Sequence, residues 1–196
     1  MAKRTGEKYA AIIEAAVKVI AENGYHNSQV AKIAREAGVA DGTVYLYFEN
    51  KEDILISLFK EKMGQLITLI EGELKECTGA GEKLRRLVEL HLSFLQADRN
   101  LALVTQIQLR QADQTIREGI TEPLRAYFKI IDEVLEQGKE QGVFQADIDV
   151  RIARSMVFGT LDEVATRWVM SKREYNLRDS AGPVYRMLVG GLAGKI

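Results

Sequence analysis

Apolar residues recur along this chain every three or four positions, and an apolar–polar alternation is nearly absent. That period belongs to helices. Ile12, Ile13, Ala16, Val17 and Ile20 make one stripe over about 8–22, and Asn23-Gly24 stops it, with Gly24 free to turn left-handed. A short helix follows, with Ser28 placed as its cap and Val30, Ile33, Ala34 and Ala37 on its inner face. Gly38 breaks it, and a second short helix is expected over about 41–48. Asn50 then reads as the N-cap of a long helix from Lys51. Glu52 and Asp53 lie in its first turn, where the helix dipole favours acids.

Residues 77–81 read as a loop. Further stripes cover about 82–96 (Leu84, Leu87, Val88, His91, Leu95) and the region after Asp98 (Leu101, Val104, Ile107). Thr121 reads as the cap of a helix with Pro123 in its first turn, ending at Gly142. Two more are expected over about 150–170 and 177–192, the last interrupted at Gly182-Pro183. The expectation is an all-α protein of nine helices in two domains. The first three helices fall within residues 1–50 and the remaining six within 51–196.

Composition adds exclusions. The chain has 196 residues, 46% hydrophobic and 28% charged, with 27 Lys+Arg against 28 Asp+Glu. The net charge of −1 gives no hint of nucleic acid. A single cysteine, Cys77, excludes an internal disulfide framework. The start, Met1 to Thr5, leads into a charged stretch without the apolar core of a secretion signal, and no apolar run is long enough to span a membrane. A cytoplasmic location without membrane association is expected. His26 and His91 have no acid–nucleophile pattern near them, so no catalytic residue, metal or cofactor is expected.

The densest signal lies between Ser28 and Phe48. Ile33-Ala34, Gly38-Val39 and Val44 fall at helix-turn-helix spacings. Ala34 is small where the second helix crosses, Gly38 makes the tight turn, and Val39 and Val44 fill the wedge. An ordinary αα-corner shares this pattern. Residues outside the core separate the two readings. Ser28 and Gln29 open the first helix, where free backbone N–H groups meet phosphates. Lys32 lies on that helix, and Asp41, Gly42 and Thr43 open the second. Thr43, Tyr45 and Tyr47 offer hydroxyls and apolar bodies to phosphates and thymine methyls, one of the tyrosines being partly core. Lys51 stands where a phosphate could sit, and Lys3 and Arg4 belong to a basic arm.

The run Val30–Leu55, with Gly38, Gly42-Thr43, Tyr47-Phe48 and Lys51-Glu52, resembles the DNA-binding module of the TetR family of bacterial repressors. Asp41 departs from the Lys or Ser many members carry; an acid there could cap the helix or read a cytosine amine. Segments 26–30, 41–47, 54–63, 158–163 and 168–170 resemble one branch, the FadR-type repressors of fatty-acid degradation in Gram-positive bacteria. The resemblance implies a helix-turn-helix DNA-binding domain over 1–50, an effector-binding and dimerisation domain over 51–196, and a homodimer on a palindromic double-stranded operator, released by long-chain acyl-CoA.

Independently, the second domain carries more bulky apolar residues than a thin helical layer could bury, consistent with an apolar tunnel or with a solid core. Helix faces nominate Phe94, Ile107, Arg110, Tyr127, Phe128, Ile131 and Trp168 as ligand-binding. Gly159, Leu161, Val164, Leu188 and Leu192 are nominated for a dimer interface built as a four-helix bundle. Two alternatives remain: a repressor of the same fold answering a different hydrophobic molecule (a drug or lipid), and a helical lipid-binding protein that does not touch DNA. Over residues 1–51, seven basic residues oppose six acids, so the first domain is almost neutral and a shallow salt dependence is expected.

Overall fold

A helix begins where backbone donors find partners and ends where the chain can leave the spiral. In the computed structural model, which describes residues 5–108 and 114–193, most of these boundaries fall near their sequence signals. Helix α1 is Glu7–Asn23, α2 Val30–Glu36, α3 Asp41–Val44 and α4 Lys51–Leu74. Then come α5 Ala80–Ala97, α6 Arg99–Leu103, a π-helical turn Val104–Gln108 and α7 Gln114–Gly119. Helix α8 is Thr121–Glu140, α9 Val150–Met170, and a 3₁₀ turn Leu177–Ser180 precedes α10 Ala181–Leu192. No strand occurs among the described residues.

Ten α-helices therefore stand among the described residues, against the nine expected. The extra one arises after Asp98, where a single helix was expected. Thr105 Oγ1 donates to the carbonyls of Leu101 (3.0 Å) and Ala102 (3.3 Å), and the spiral widens into the π turn. Three further expectations are corrected. The second short helix is α-helical only to Val44, and 45–47 close as a turn. Thr121 does not cap α8, because its hydroxyl donates back to Arg117 O at 2.9 Å. Gly182-Pro183 does not interrupt the last helix but lies in its first turn, where proline's missing N–H has no partner to lose.

The backbone forms two compact units that interleave along the chain. The first contains 1–62 and 99–121; the second contains 63–98 and 122–196. Helix α4 contributes to both.

In the first unit, α1 packs on α2, α6 and the π turn. Its core gathers Ile12, Ile13, Ala16, Ile20, Ile33, Val44, Phe48, Ile54, Leu55 and Leu58, all buried. Helix α7 approaches α4 closely at Gly119, where a Cβ would stand 2.6 Å from Ile56 Cδ1. In the second unit, α5 packs on α9, α10 and the 3₁₀ turn. Helix ends are satisfied from outside the helix. Gln141 Oε1 accepts the Ala80 N–H at 2.9 Å, Gln96 Oε1 accepts that of Leu177 at 2.6 Å, and Asp149 caps α9 through the Arg151 N–H at 2.8 Å.

Candidate nucleic-acid interface and effector region

The turn between α2 and α3 is a full Schellman motif. Gly38 takes φ +68°, its N–H bonds Arg35 O (3.2 Å), and the Val39 N–H bonds Ala34 O (3.0 Å). A residue with a Cβ would be strained there. Val39 and Ala34 occupy the two positions where an apolar pair usually accompanies the motif; Ala34 is buried and Val39 half-buried.

Helix α3 turns Val44 and Phe48 into the core. Tyr9 stacks on Phe48 at 5.4 Å between ring centres and lies against Tyr47 at 6.2 Å. Tyr47 is thus the partly buried tyrosine, and Tyr45 projects outward, 57% exposed. Asp41, Gly42, Gln29 and Lys32 are exposed and Thr43 is half-buried. Lys32 Nζ donates to Asn23 Oδ1 at 3.1 Å. Asp41 does not cap its helix: the N-cap is Ala40, and Asp41 sits one residue inside. Lys3 and Arg4 lie outside the described residues.

Ser28 is a correction. It is buried, its hydroxyl donates to Gly24 O (2.8 Å) and Val19 O (3.2 Å), and its N–H bonds Tyr25 O (3.2 Å). Both donors serve the end of α1, so Ser28 neither caps α2, whose N-cap is Gln29, nor offers a group to phosphate.

Lys51 opens α4 and is held from below. Its Nζ donates to Tyr25 O (3.1 Å) and His26 O (3.2 Å) and lies 4.5 Å from the centre of the Tyr25 ring. Tyr25 Oη donates to Glu52 Oε1 at 3.0 Å. Asn50 caps the helix as expected, its Oδ1 accepting the Asp53 N–H at 2.7 Å, and Asp53 Oδ2 accepts the Glu49 N–H at 3.0 Å. At the far end of this half of α4, Lys62 pairs with Glu14 of α1. Two ends of one helix segment are thereby fixed to the helix-turn-helix, which the sequence did not reveal because Tyr25 and Glu14 carry no motif.

In the second unit, α5, α8 and α9 build an aromatic cluster. Tyr127 meets Phe158 edge-on at 6.1 Å, and Phe128 meets it at 5.0 Å. Tyr127 is fully buried, and its hydroxyl shares a 2.8 Å hydrogen bond with His91 Nδ1. His91 is a core residue, but only half satisfied: Nε2 meets no partner among the described residues. Burial alone drives the His91 pKa down to about 4 and pushes the Tyr127 hydroxyl up. Ile131 is buried on α8, and Phe94 is half-buried on α5. Phe158 was missed as a site candidate, although it falls inside a segment the sequence had singled out.

Other expectations do not join this cluster. Trp168 donates Nε1–H to Tyr175 O at 3.0 Å and ties down the segment after α9. Ile107 belongs to the first unit, and Arg110 lies outside the described residues. Arg167 pairs with Glu163 at 2.7 Å on the surface of α9. A groove of about 410 Å³ between α4, α5 and α8 shares no residue with the predicted ligand set. It mixes Lys75 and Lys83 with Glu71 and Glu133 over Leu74, Ile130 and Val134.

The predicted dimer set is also corrected in part. Leu161, Leu188 and Leu192 are buried within the single chain and have no area left for a partner. They belong to the inner stripes Ala153, Val157, Leu161, Ala165 of α9 and Ala181, Val184, Leu188, Leu192 of α10. Gly159 is exposed and Val164 half-buried. The exposed apolar residues of these helices are Ile152 (68%), Met156, Met170 (69%) and Met187 (78%).

A helix-turn-helix with an outward-facing second helix, in an all-helical chain, defines a DNA-binding regulator. Residues 12–58 match the bacterial regulatory proteins of the tetR family, and 59–191 match the C-terminal region of YsiA-like proteins. The chain belongs to the TetR family. It is 53% identical over 193 residues to the fatty acid metabolism regulator protein of Bacillus subtilis (strain 168), covering 98% of this chain and 100% of that one. It superposes with a TM-score of 0.90 on B. subtilis FadR in complex with stearoyl-CoA, at 54% identity, over 94% of this chain and 99% of that one. It superposes equally, at 0.90 and 53% identity over the same shares, on the fatty acid degradation regulator FadR of Bacillus halodurans.

Proposed function

We propose that this chain is a homodimeric transcriptional repressor of fatty-acid degradation genes, released from a palindromic operator by long-chain acyl-CoA. One observation carries the reading: near-complete overlap, at 54% identity, with a regulator bound to stearoyl-CoA. The helix-turn-helix supplies the DNA-binding surface, and residues 1–50 hold it. Effector binding and dimerisation belong to 51–196, with the aromatic cluster of Tyr127, Phe128 and Phe158 nearest the acyl chain. The exposed apolar residues of α9 and α10 supply the dimer surface in place of the buried leucines. The protein works in the cytoplasm, where its DNA is; among the described residues no helix is long and apolar enough to cross a membrane. It performs no catalysis of its own.

The mechanism is a population shift. Ligand between α4 and α8 favours a position of α4 that its ties at Tyr25, Glu52 and Glu14 transmit to the helix-turn-helix. The ligand must prefer the state that does not fit the operator. A preference of about 2–3 kcal/mol lowers operator affinity about 30–150-fold.

The test is a gel shift on palindromes upstream of fatty-acid degradation genes, with and without stearoyl-CoA. Release by stearoyl-CoA but not by free CoA supports the reading. Retention of the DNA at saturating acyl-CoA, with release by an unrelated hydrophobic compound, overturns the effector assignment.

Lys51 gives a sharper check. Lys51→Met removes one cation from the interface, so the slope of log affinity against log salt becomes shallower by about 0.9 per half-site. Fluorescence anisotropy at several salt concentrations reads it. An unchanged slope means that the ammonium serves only the carbonyls of Tyr25 and His26.

A further inference from the structure

We propose that Leu46, flanked by Tyr45, reads the C5 methyl groups of thymines in the major groove; the proposal rests on the DNA-binding reading above. Residues 41, 42, 45 and 46 share one exposed face of α3 and its closing turn, opposite the buried Val44 and Phe48. Three of the four have side chains, and the two at the end of the face are apolar or aromatic. Leu46 is 64% exposed, more than Tyr45 beside it. The Leu46 N–H bonds Thr43 O at 3.2 Å, so the turn itself holds the side chain outward. At Gly42, which is exposed, nothing stands within 4 Å of where a Cβ would be, so the face is open one turn before Leu46.

Leucine has neither donor nor acceptor. Against the N7, O6, O4 and amino groups of the base edges it can only strip water without replacing a hydrogen bond. Thymine alone adds an apolar group to the major-groove edge. An exposed leucine on the reading face therefore favours thymine and disfavours the polar edges at the same step.

The experiment starts from the duplex that the full-length protein selects out of a random-sequence pool. That duplex is made with thymine and again with uracil throughout the site, which deletes only the methyl groups. Anisotropy at one fixed salt measures wild type and Leu46→Ala on both. The wild type is expected to bind the uracil duplex about tenfold more weakly, as loss of one or two buried methyl contacts per site implies. Leu46→Ala should bind the thymine duplex about as weakly as the wild type binds uracil, and lose less than twofold more on uracil. Leu46→Met, which keeps an apolar tip, should retain most of the thymine preference. Equal wild-type affinity for the two duplexes overturns the proposal while leaving DNA binding intact. So does a Leu46→Ala protein that still loses tenfold on uracil. Failure of the wild type to select any duplex overturns the DNA-binding reading and this proposal with it.

Discussion

Between pH 7 and pH 4 the folded chain should lose about 3 kcal/mol of stability through His91 alone. The ring lies between α5 and α8 against the Tyr127 hydroxyl, and burial lowers its pKa from 6.5 to about 4. A lowered histidine pKa means that the unfolded chain takes up the proton first. Stability is therefore unaffected above about 6.5, falls as the pH drops from 6.5 toward 4, and levels off below that. About 2 kcal/mol of the loss arrives by pH 5, while most carboxylates are still ionised, so the two effects separate. Urea unfolding at pH 7, 6 and 5 measures it. The control is His91→Leu with Tyr127→Phe, which removes both polar groups together and leaves no orphaned hydroxyl. That double variant should show little change of stability from pH 7 to pH 5. A wild-type pH slope preserved in the double variant would assign the acid sensitivity to other groups.

Much of the fold was legible because its signals are local. Gly24, Gly38 and Gly142 all stop helices and all take positive φ, and Asn50 caps α4 as its position before Glu52 and Asp53 implies. The 3.6-residue period gave the long helices to within a few residues. The failures share a cause: each depends on which group a side chain meets in the folded chain, near or far in sequence, and residue spacing does not encode that choice. Ser28 looks like a cap by position, yet its hydroxyl finds Val19 and Gly24 carbonyls at the end of α1. Thr105 looks like a helix residue until its hydroxyl competes for the carbonyls behind it. Helix α9 has apolar residues on two faces, and periodicity cannot say which faces inward. Leu161 was therefore nominated for the surface while Ile152 and Met170 occupy it.

The candidate site divides in the same way. The DNA-binding face follows from one short motif, and there only Leu46 escaped notice, because an apolar residue in a half-buried helix reads as core. Its exposure appears only once Val44 and Phe48 are seen to take the inward places. The effector region has no short motif. Tyr127 and Phe128 were found from helix faces, but His91 and Phe158, which hold them, sit on α5 and α9 at separations of 36 and about 30 residues.

Gly138→Ala should cost the protein about 3 kcal/mol, although alanine is the better helix former by about 1 kcal/mol. Helix α8 ends in a Schellman motif: Gly142 at φ +67° donates to Lys139 O (3.1 Å), and the Val143 N–H bonds Gly138 O (2.9 Å). The Phe144 N–H bonds the same carbonyl at 3.0 Å. The chain thus folds back so tightly that the Phe144 ring lies directly on the α-carbon of Gly138, and an added Cβ would overlap Cδ2, Cε2 and Cγ of the ring. Phe144 is buried and fixed by its backbone bond, so the ring cannot swing aside without leaving the core. For a chain of this size the loss lowers the melting temperature by about 6–12 °C, which thermal unfolding reads directly. Phe144→Ala alone should cost about 3–5 kcal/mol. The double variant should be no less stable than Phe144→Ala, because once the ring is gone the new methyl meets nothing. The coupling between the sites is then about 3 kcal/mol, far above the few tenths seen for independent positions. A Gly138→Ala protein that melts higher than the wild type would show that helix propensity outweighs the overlap and that the ring has another place to go.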